Sequence, residues 1–170
     1  MYRKIVAIPY LRIMDPELFL EKSVWTDSDL DTMNWHDNKI HAVALDGHNH
    51  QLLLDIDYIC KWVKRENYFL FWVAPSTLIF RNVFDVTIST ETTDLVILEI
   101  KKSNATKPRN ADHIEELNEY KWTIETTAGE ITFKSVGFTQ LIRRHPTLLK
   151  RQELNLSERG GYSFNSKLEN

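Results

Sequence analysis

The chain has 170 residues, of which 42% are hydrophobic and 26% are charged, and its formal net charge is −3 at pH 7. This composition is that of an ordinary globular protein and excludes a disordered chain, while the length predicts a single domain over residues 1–170. The negative net charge leaves no general basic field, so we expect no nucleic-acid partner, because phosphate contacts need clustered lysine and arginine.

The cysteine content and the hydropathy of the sequence indicate the cellular compartment. The sequence has one cysteine, Cys60, so it cannot form an intrachain disulfide. The apolar core of the opening stretch MYRKIVAIPYLRIMD is too short for a signal peptide, and no run approaches the ~20 apolar residues of a membrane span. These observations predict a soluble cytoplasmic protein without a membrane partner.

Two short helices are predicted near the N terminus. Asp15 and Pro16 precede ELFLEKS, which puts a proline at the first helical position. Thr26 and Asp27 can cap a second short helix that ends near Met33.

From residue 38 the hydrophobic period changes to two, which indicates a β-hairpin. The residues of QLLLDIDYICKW that share its apolar face are Leu52, Leu54, Ile56, Tyr58, Cys60 and Trp62. A turn through residues 47–49 then predicts the pairs Asp46 with His50, Ala44 with Leu52, Ala42 with Leu54, and Ile40 with Ile56. On the polar face it sets His41 opposite Asp55 and Lys39 opposite Asp57, which are complementary pairs worth ~0.2–1 kcal/mol each.

Further strands follow along the chain. Residues 68–88 are almost continuously apolar, which is typical of a strand covered on both faces, and Pro75 marks an edge, a bulge or a break in it. The segment TTDLVILEIKK is predicted to pair antiparallel with the strand before it, and residues 101–118 are predicted to be a long polar loop.

A second hairpin is predicted around a turn at Ala128-Gly129. Tyr120, Trp122 and Ile124 alternate on one side, and Ile131 and Phe133 return to meet them. Residues 152–156 can form a last strand, and residues 165–170 are predicted to be a frayed tail. The predicted fold class is therefore α+β and β-rich, with an antiparallel twisted sheet folded into a sandwich or partial barrel and with short N-terminal helices.

Four of the six histidines lie between Trp35 and Asp57, and this raises the question of a metal site. Zinc needs three or four convergent ligands, and the candidates here are His36, Asp37, His41 and Asp55. Paired charges on the polar face of the hairpin explain the same residues more simply. Cys60 has the apolar parity of a buried, inert thiol, and the usual nucleotide-binding and acyl-transfer motifs do not occur. We therefore predict no catalytic residues and no cofactor, and an enzyme is the less favoured reading.

Aromatic residues suggest binding instead. Trp25 and Trp35 flank the acidic segment TDSDLDTMN, where a protein partner could meet an aromatic anchor with a charged rim. Packing of that segment on the sheet explains the two tryptophans equally well, while Trp62, Trp72 and Trp122 have the parity of core residues. The predicted binding residues are Trp25, Trp35, His36, Asp37, His41 and Asp55.

Four stretches carry a family resemblance: WHDNKIHAVAL, LLLDIDYI, FWVAPSTLIFRNVFDVTI and QELNLSERGGYSF. Together they resemble a family of small uncharacterised bacterial proteins that begin with a W-H-D-x-x-I strand, over Trp25 to Phe164. Residues 36–40 are also similar to immunity proteins of polymorphic toxin systems, which often carry an H-D-x-x-I segment. The resemblance implies a cytoplasmic bacterial β-rich domain whose partner is a protein such as a toxin. The expected function is thus a non-enzymatic, immunity-like protein-binding module, and the alternative is a metal-dependent hydrolase with a His/Asp site on the first hairpin.

Overall fold

The computed structural model describes residues 18 and 20–167, and these residues form a β-rich fold with one short helix. The helix is a 3-10 helix over Asp27–Thr32. The strands are β1 (Val24–Thr26), β2 (Lys39–Asp46), β3 (Gln51–Lys64), β4 (Phe69–Arg81), β5 (Phe84–Thr90), β6 (Leu95–Thr106), β7 (Glu119–Thr126), β8 (Gly129–Ser135), β9 (Gly137–Ile142) and β10 (Thr147–Leu149). No helix of the described residues is long and apolar enough to cross a membrane.

The strands form one antiparallel sheet, in the order β1-β9-β4-β3-β2-β6-β7-β8-β5, with β10 paired to β4. The sheet is not closed, since no ladder of the described residues joins β1 to β5. Strands β2 and β6 meet over only two residue pairs, Lys39 with Val96 and Ile40 with Leu95. This narrow connection divides the sheet into two parts. Every ladder of the described residues is antiparallel, which confirms the predicted antiparallel, β-rich class.

The two parts of the sheet face each other across one core. The ring of Phe80 on β4 packs against Trp122 on β7 and Phe133 on β8, with centroid separations of 5.2 and 4.6 Å. All three side chains are buried, as are Leu52, Leu54 and Ile56 on β3. Trp122 pairs with Phe133 across the second hairpin, which turns at residues 127–128, so the sequence-based prediction of this hairpin and of Trp122 as a core residue is confirmed.

The predicted short N-terminal helices are not shown. The first, from Pro16, lies largely outside the described residues, and residues 20–23 of its described part are not helical. The second is replaced by the 3-10 helix, which Thr26 precedes as N-cap and where the Thr26 amide donates to Asp29 Oδ2 at 2.9 Å. At 3.0 residues per turn, these six residues make two turns of 3-10 helix.

The predicted register of the first hairpin is correct at the open end of the hairpin and wrong by one residue toward the turn. Lys39 pairs with Asp57 and Ile40 with Ile56 as predicted, but a bulge at His41 then moves Ala42 opposite Asp55. From there the predicted pairs are wrong by one residue. The cause is the turn, which spans residues 47–50 rather than three residues; the Asp46 carboxylate caps it by accepting the amides of His48 and Asn49, and the bulge absorbs the additional residue.

A second bulge on β3 changes the side that Trp62 faces. The ladder with β4 shifts between Ile59 and Lys61, so Cys60 is the inserted residue. Next to it the Ile59 amide donates to Asn38 Oδ1 at 3.1 Å. Trp62 consequently leaves the apolar face of the main core and is 41% exposed, so its prediction as a core residue is wrong.

Two predictions about β6 are also corrected. It does not pair with β5: β5 pairs with β8 at the end of the sheet, and β6 lies between β2 and β7. In that position Leu95 and Ile97 of β6 enter the core. The long polar loop begins later than residue 101, because β6 continues to Thr106, which pairs with Glu119.

Pro75 lies inside β4 and does not break it. On the outer edge of β4, residues up to Val73 pair with β10 and residues from Ser76 pair with β9. Pro75 falls in the gap between these ladders, where its missing N–H costs no hydrogen bond.

The C-terminal segment is irregular rather than extended as a last strand over residues 152–156. Strand β10 comes earlier, and Leu154 instead packs on a second, smaller cluster with Ile59, Phe71 and Val73 on the outer face of β3 and β4. Of the predicted tail, residues 168–170 lie outside the described residues, while the carbonyl of Asn165 accepts the Thr77 hydroxyl at 2.7 Å.

Candidate functional site

Two aspartates and two arginines form a buried ionic network on the outer face of β3. Asp55 and Asp57 alternate along the strand with Leu54 and Ile56, so their carboxylates point away from the main core. Their partners are Arg143, just after β9, and Arg159 in the C-terminal segment, and all four side chains are at most 1% exposed. We call these four residues the Asp–Arg network.

Asp55 is the centre of this network. Arg159 donates both terminal nitrogens to its two carboxylate oxygens at 2.7 Å, Arg143 Nη2 donates at 2.7 Å, and the Ser163 amide donates at 3.0 Å. Burial by itself raises the pKa of Asp55, but the hydrogen bonds from Arg159, Ser163 and Arg143 outweigh it and hold the pKa below the ordinary value. Asp55 is therefore a charged group with its oxygens fully occupied.

Asp57 has its own set of donors. Its Oδ2 accepts His41 Nε2 at 2.8 Å and the Leu154 amide at 2.7 Å, and its Oδ1 accepts Arg159 Nε at 3.2 Å. His41 thus contacts Asp57 and not Asp55, because the bulge at His41 shifts the predicted pairing. The network joins the two acidic residues of β3 to one histidine of β2.

The remaining arginine donors are also used. Arg143 Nη1 donates to Thr77 Oγ1 at 2.9 Å and to the Ser163 carbonyl at 2.8 Å, and Arg159 Nη1 donates to the Gly161 carbonyl at 3.1 Å. With these bonds the segment from Leu154 to Ser163 is fixed over β3. The network therefore attaches the C-terminal segment to the sheet, and each of its four carboxylate oxygens already accepts at least one hydrogen bond.

His36 and Asp37 lie at the surface, apart from the network. His36 Nδ1 is 2.9 Å from the Leu98 carbonyl, and its Nε2 is 3.5 Å from Asp37 Oδ1. Asp37 Oδ2 accepts Gln152 Nε2 at 2.9 Å. The set His36, Asp37, His41 and Asp55 is not brought together, and nowhere in the described part of the chain do three or more His, Cys, Asp or Glu side chains converge as a group that could hold a metal.

The two tryptophans proposed from sequence have different surroundings. Trp35 is 5% exposed, donates Nε1–H to Gln140 Oε1 at 2.7 Å and meets Phe138 edge to face at 5.4 Å. It is a core residue and presents no surface to a partner. Trp25 is half-buried, with its ring 6.0 Å from that of Tyr58.

An exposed aromatic surface occurs instead at the end of the hairpin formed by β3 and β4. Trp62, Tyr68 and Phe69 are 41%, 50% and 43% exposed, and we call these three residues the hairpin-end patch. Trp62 also meets Phe71 of the second cluster edge to face at 5.0 Å. Sequence reasoning missed the patch because the bulge at Cys60 reverses the parity of Trp62.

Basic side chains surround the patch. Lys61 and Lys64 are exposed on β3, and Lys150 Nζ lies 5.5 Å from the centroid of the Tyr68 ring. A groove of about 560 Å³ runs beside Phe71, and its charged lining residues are three cations and three carboxylates: Lys39, Lys150, Arg151, Asp37, Asp94 and Glu153. The lysines beside the rings, and not the groove, give the hairpin-end patch its cationic rim.

Cys60 is a free, half-buried thiol. Burial raises its pKa to about 12, and its Sγ lies 3.8 Å from the Tyr58 carbonyl. At neutral pH a thiol with this pKa is protonated. The residue is half-buried rather than buried as predicted, because it is the inserted residue of the bulge.

No family model, no curated protein and no solved structure matches this chain. Its surfaces and buried groups are therefore the grounds on which a function is inferred.

Proposed function

We propose that the chain is a non-enzymatic protein-binding module that meets its partner through the hairpin-end patch. The observation that carries the proposal is the exposure of three large aromatic side chains, Trp62, Tyr68 and Phe69, at one end of a single hairpin. Tryptophan and tyrosine are enriched among the few interface residues that contribute most of the binding free energy. Exposed aromatic side chains grouped in this way are typical of interaction sites.

The chemistry of the buried groups supports binding rather than catalysis. Asp55 and Asp57 are held by arginines at 2.7 to 3.2 Å, so neither carboxyl group is free to act as a general acid or base. The thiol of Cys60, with its pKa near 12, is a poor nucleophile. The hydrolase alternative needs His41 and Asp55 to share a metal, and His41 contacts Asp57 instead.

A bacterial toxin is the partner class that we propose. The similarity of residues 36–40 to immunity proteins supports it, and a single cysteine is compatible with the bacterial cytoplasm as the place of action. In this proposal the chain neutralises the toxin by covering its surface.

Site-specific photo-crosslinking in the cells that produce the protein tests the proposal. A photoreactive phenylalanine analogue at Tyr68 is expected to capture a partner, whereas the same analogue at Tyr162, which is 64% exposed in the C-terminal segment, is not. Equal capture from both positions, or none from Tyr68, contradicts the proposal.

The captured partner is then purified and its affinity is measured by calorimetry. We expect Tyr68→Ala and Phe69→Ala each to weaken binding by about 10- to 30-fold, the range of an interface residue worth ~1.4–2 kcal/mol. Leu117→Ala is the matched control, because Leu117 is 83% exposed on the loop between β6 and β7. If all three variants bind like the unmodified protein, the patch is not the interface.

A further inference from the structure

We infer that the segment of the partner that binds the hairpin-end patch is acidic, with carboxylates placed between apolar side chains. This inference rests on the proposed function and adds the chemistry of the partner. The net charge of the whole chain is −3, whereas the net charge of the end of the β3–β4 hairpin is positive. Residues 61–69, KWVKRENYF, contain three basic side chains and one acidic one.

The cations lie beside the exposed rings. Lys64 is the ladder partner of Phe69, and residues directly opposite each other in a sheet share a face. Lys61 is opposite Trp72 on the other face. Lys150 Nζ approaches the ring of Tyr68. An apolar side chain that packs on either face of the hairpin end therefore has an ammonium group next to it.

These ammonium groups have no carboxylate partner in the described residues. Lys22, Lys39, Lys101 and Lys134 each pair with an aspartate or glutamate, whereas no ion pair joins Lys61, Lys64 or Lys150 to any carboxylate of the described chain. Lys102 and Lys121 on the other part of the sheet are also without one, but only the first three lie around the exposed aromatic rings. Unpaired cations around an aromatic centre complement a partner of opposite charge, and they raise the association rate and exclude basic partners. The rim is thus suited to carboxylates of a second protein.

A protein segment fits this surface better than a lipid surface does. Glu66 is exposed in the turn that joins β3 to β4, at the tip of the hairpin. An anionic membrane that approaches the tip would therefore meet a carboxylate first. A folded or extended partner can place its own carboxylates against Lys61 and Lys64 and leave Glu66 in water.

Selection from a random peptide library displayed on phage tests the inference. The purified protein is the bait, and the double variant Tyr68→Ala with Phe69→Ala, which changes only exposed side chains, is the counter-selection. We expect the surviving peptides to be enriched in Asp and Glu together with aromatic or aliphatic residues. One such peptide is then synthesised for titration.

The titration separates charge from packing. Lys64→Glu is expected to weaken the peptide roughly tenfold, and raising NaCl from about 0.05 to about 0.5 M is expected to weaken it by a similar factor because rim charges are screened. Lys121→Glu is the matched control, since Lys121 is an exposed lysine of β7. We expect it to leave the affinity within about twofold of the unmodified protein.

The outcomes are distinguishable. If the peptides that need the patch are neutral or basic, the inference of an acidic partner is contradicted. The same holds if Lys64→Glu does not change the affinity. Neither outcome contradicts the proposed function. A selection that yields no patch-dependent peptide contradicts both. Sedimentation with phosphatidylserine–phosphatidylcholine vesicles is run beside it, and vesicle binding that is lost in the Tyr68→Ala and Phe69→Ala double variant overturns the inference in favour of a lipid surface.

Discussion

Replacing Asp55 by asparagine tests whether the Asp–Arg network holds the fold together. The side chain keeps its shape but loses its charge, which leaves Arg159 with Asp57 alone and leaves the buried guanidinium group of Arg143 without its paired carboxylate. Removing one member of a buried ion pair costs ~3–5 kcal/mol, because the remaining charge has no solvent and no counter-charge. Against a total stability of ~5–15 kcal/mol, this is a large fraction.

Urea unfolding followed by tryptophan fluorescence measures the change. Asp94→Asn is the matched control, because Asp94 also pairs with a cation, Lys39, but is 79% exposed, and an exposed pair is worth ~0–1 kcal/mol. If Asp55→Asn costs no more than Asp94→Asn, the reasoning about burial is wrong. Adding Arg143→Met to Asp55→Asn removes one unpaired cation, so we expect the double variant to lose less than the sum of the two single losses.

Hydrogen exchange shows where the loss occurs. The Ser163 amide donates directly to Asp55, and the Leu154 amide donates directly to Asp57. We expect Asp55→Asn to speed exchange at Ser163 more than at core amides such as that of Ile124 on β7. If the exchange rates of all these amides rose equally, the network would stabilise the whole fold against unfolding and would not specifically hold the C-terminal segment on the sheet.

Three further predictions concern single groups. The pKa of Asp55 is lowered below 3.8, so its stabilisation is present above pH 3.8 and is lost as the pH falls through the lower native value; urea midpoints measured over acidic pH should fall less steeply in Asp55→Asn. Cys60, with a pKa near 12, has a thiolate fraction at pH 8 about a thousandfold below that of an unfolded cysteine; because a thiolate of higher pKa is also more nucleophilic, it should react with a thiol reagent at least about tenfold more slowly in the native state than in urea, as measured by absorbance. Gly129 has φ +130° and a Cβ there would collide with the Ser89 carbonyl, so Gly129→Ala should cost ~1–3 kcal/mol in urea unfolding, while Gly47→Ala, with open space around it, should not.

Local patterns were sufficient to predict those parts of the sheet that contain no insertion. The second hairpin follows from the alternation of Trp122 and Ile124 against Ile131 and Phe133 around a turn, and period two is all that is needed to place it. The first pairs of the first hairpin, Lys39 with Asp57 and Ile40 with Ile56, follow from the same rule.

The rest depends on contacts that a strict period of two does not contain. A bulge inserts one residue and reverses the parity of the residues after it. The bulge at His41 therefore gives this histidine Asp57 instead of Asp55 as its partner, and the bulge at Cys60 moves Trp62 to the opposite face of β3. Arg143 and Arg159 lie 88 and 104 residues from Asp55. Their pairing reflects tertiary structure, and the available hint was that Asp55 and Asp57 stand within a strand of otherwise apolar residues.

The buried network and the exposed patch are connected through one small cluster. The Asp–Arg network holds the C-terminal segment over β3, and Leu154 of that segment, whose amide donates to Asp57, packs with Ile59, Phe71 and Val73. Phe71 in turn supports the ring of Trp62 at 5.0 Å. An exposed side chain is held in one position only if the residues beneath it are ordered. The Asp–Arg network orders the C-terminal segment, and that segment in turn supports the patch through Leu154 and Phe71. The same ordering reduces the entropy that the patch would lose on binding a partner, and pre-organisation of this kind increases affinity.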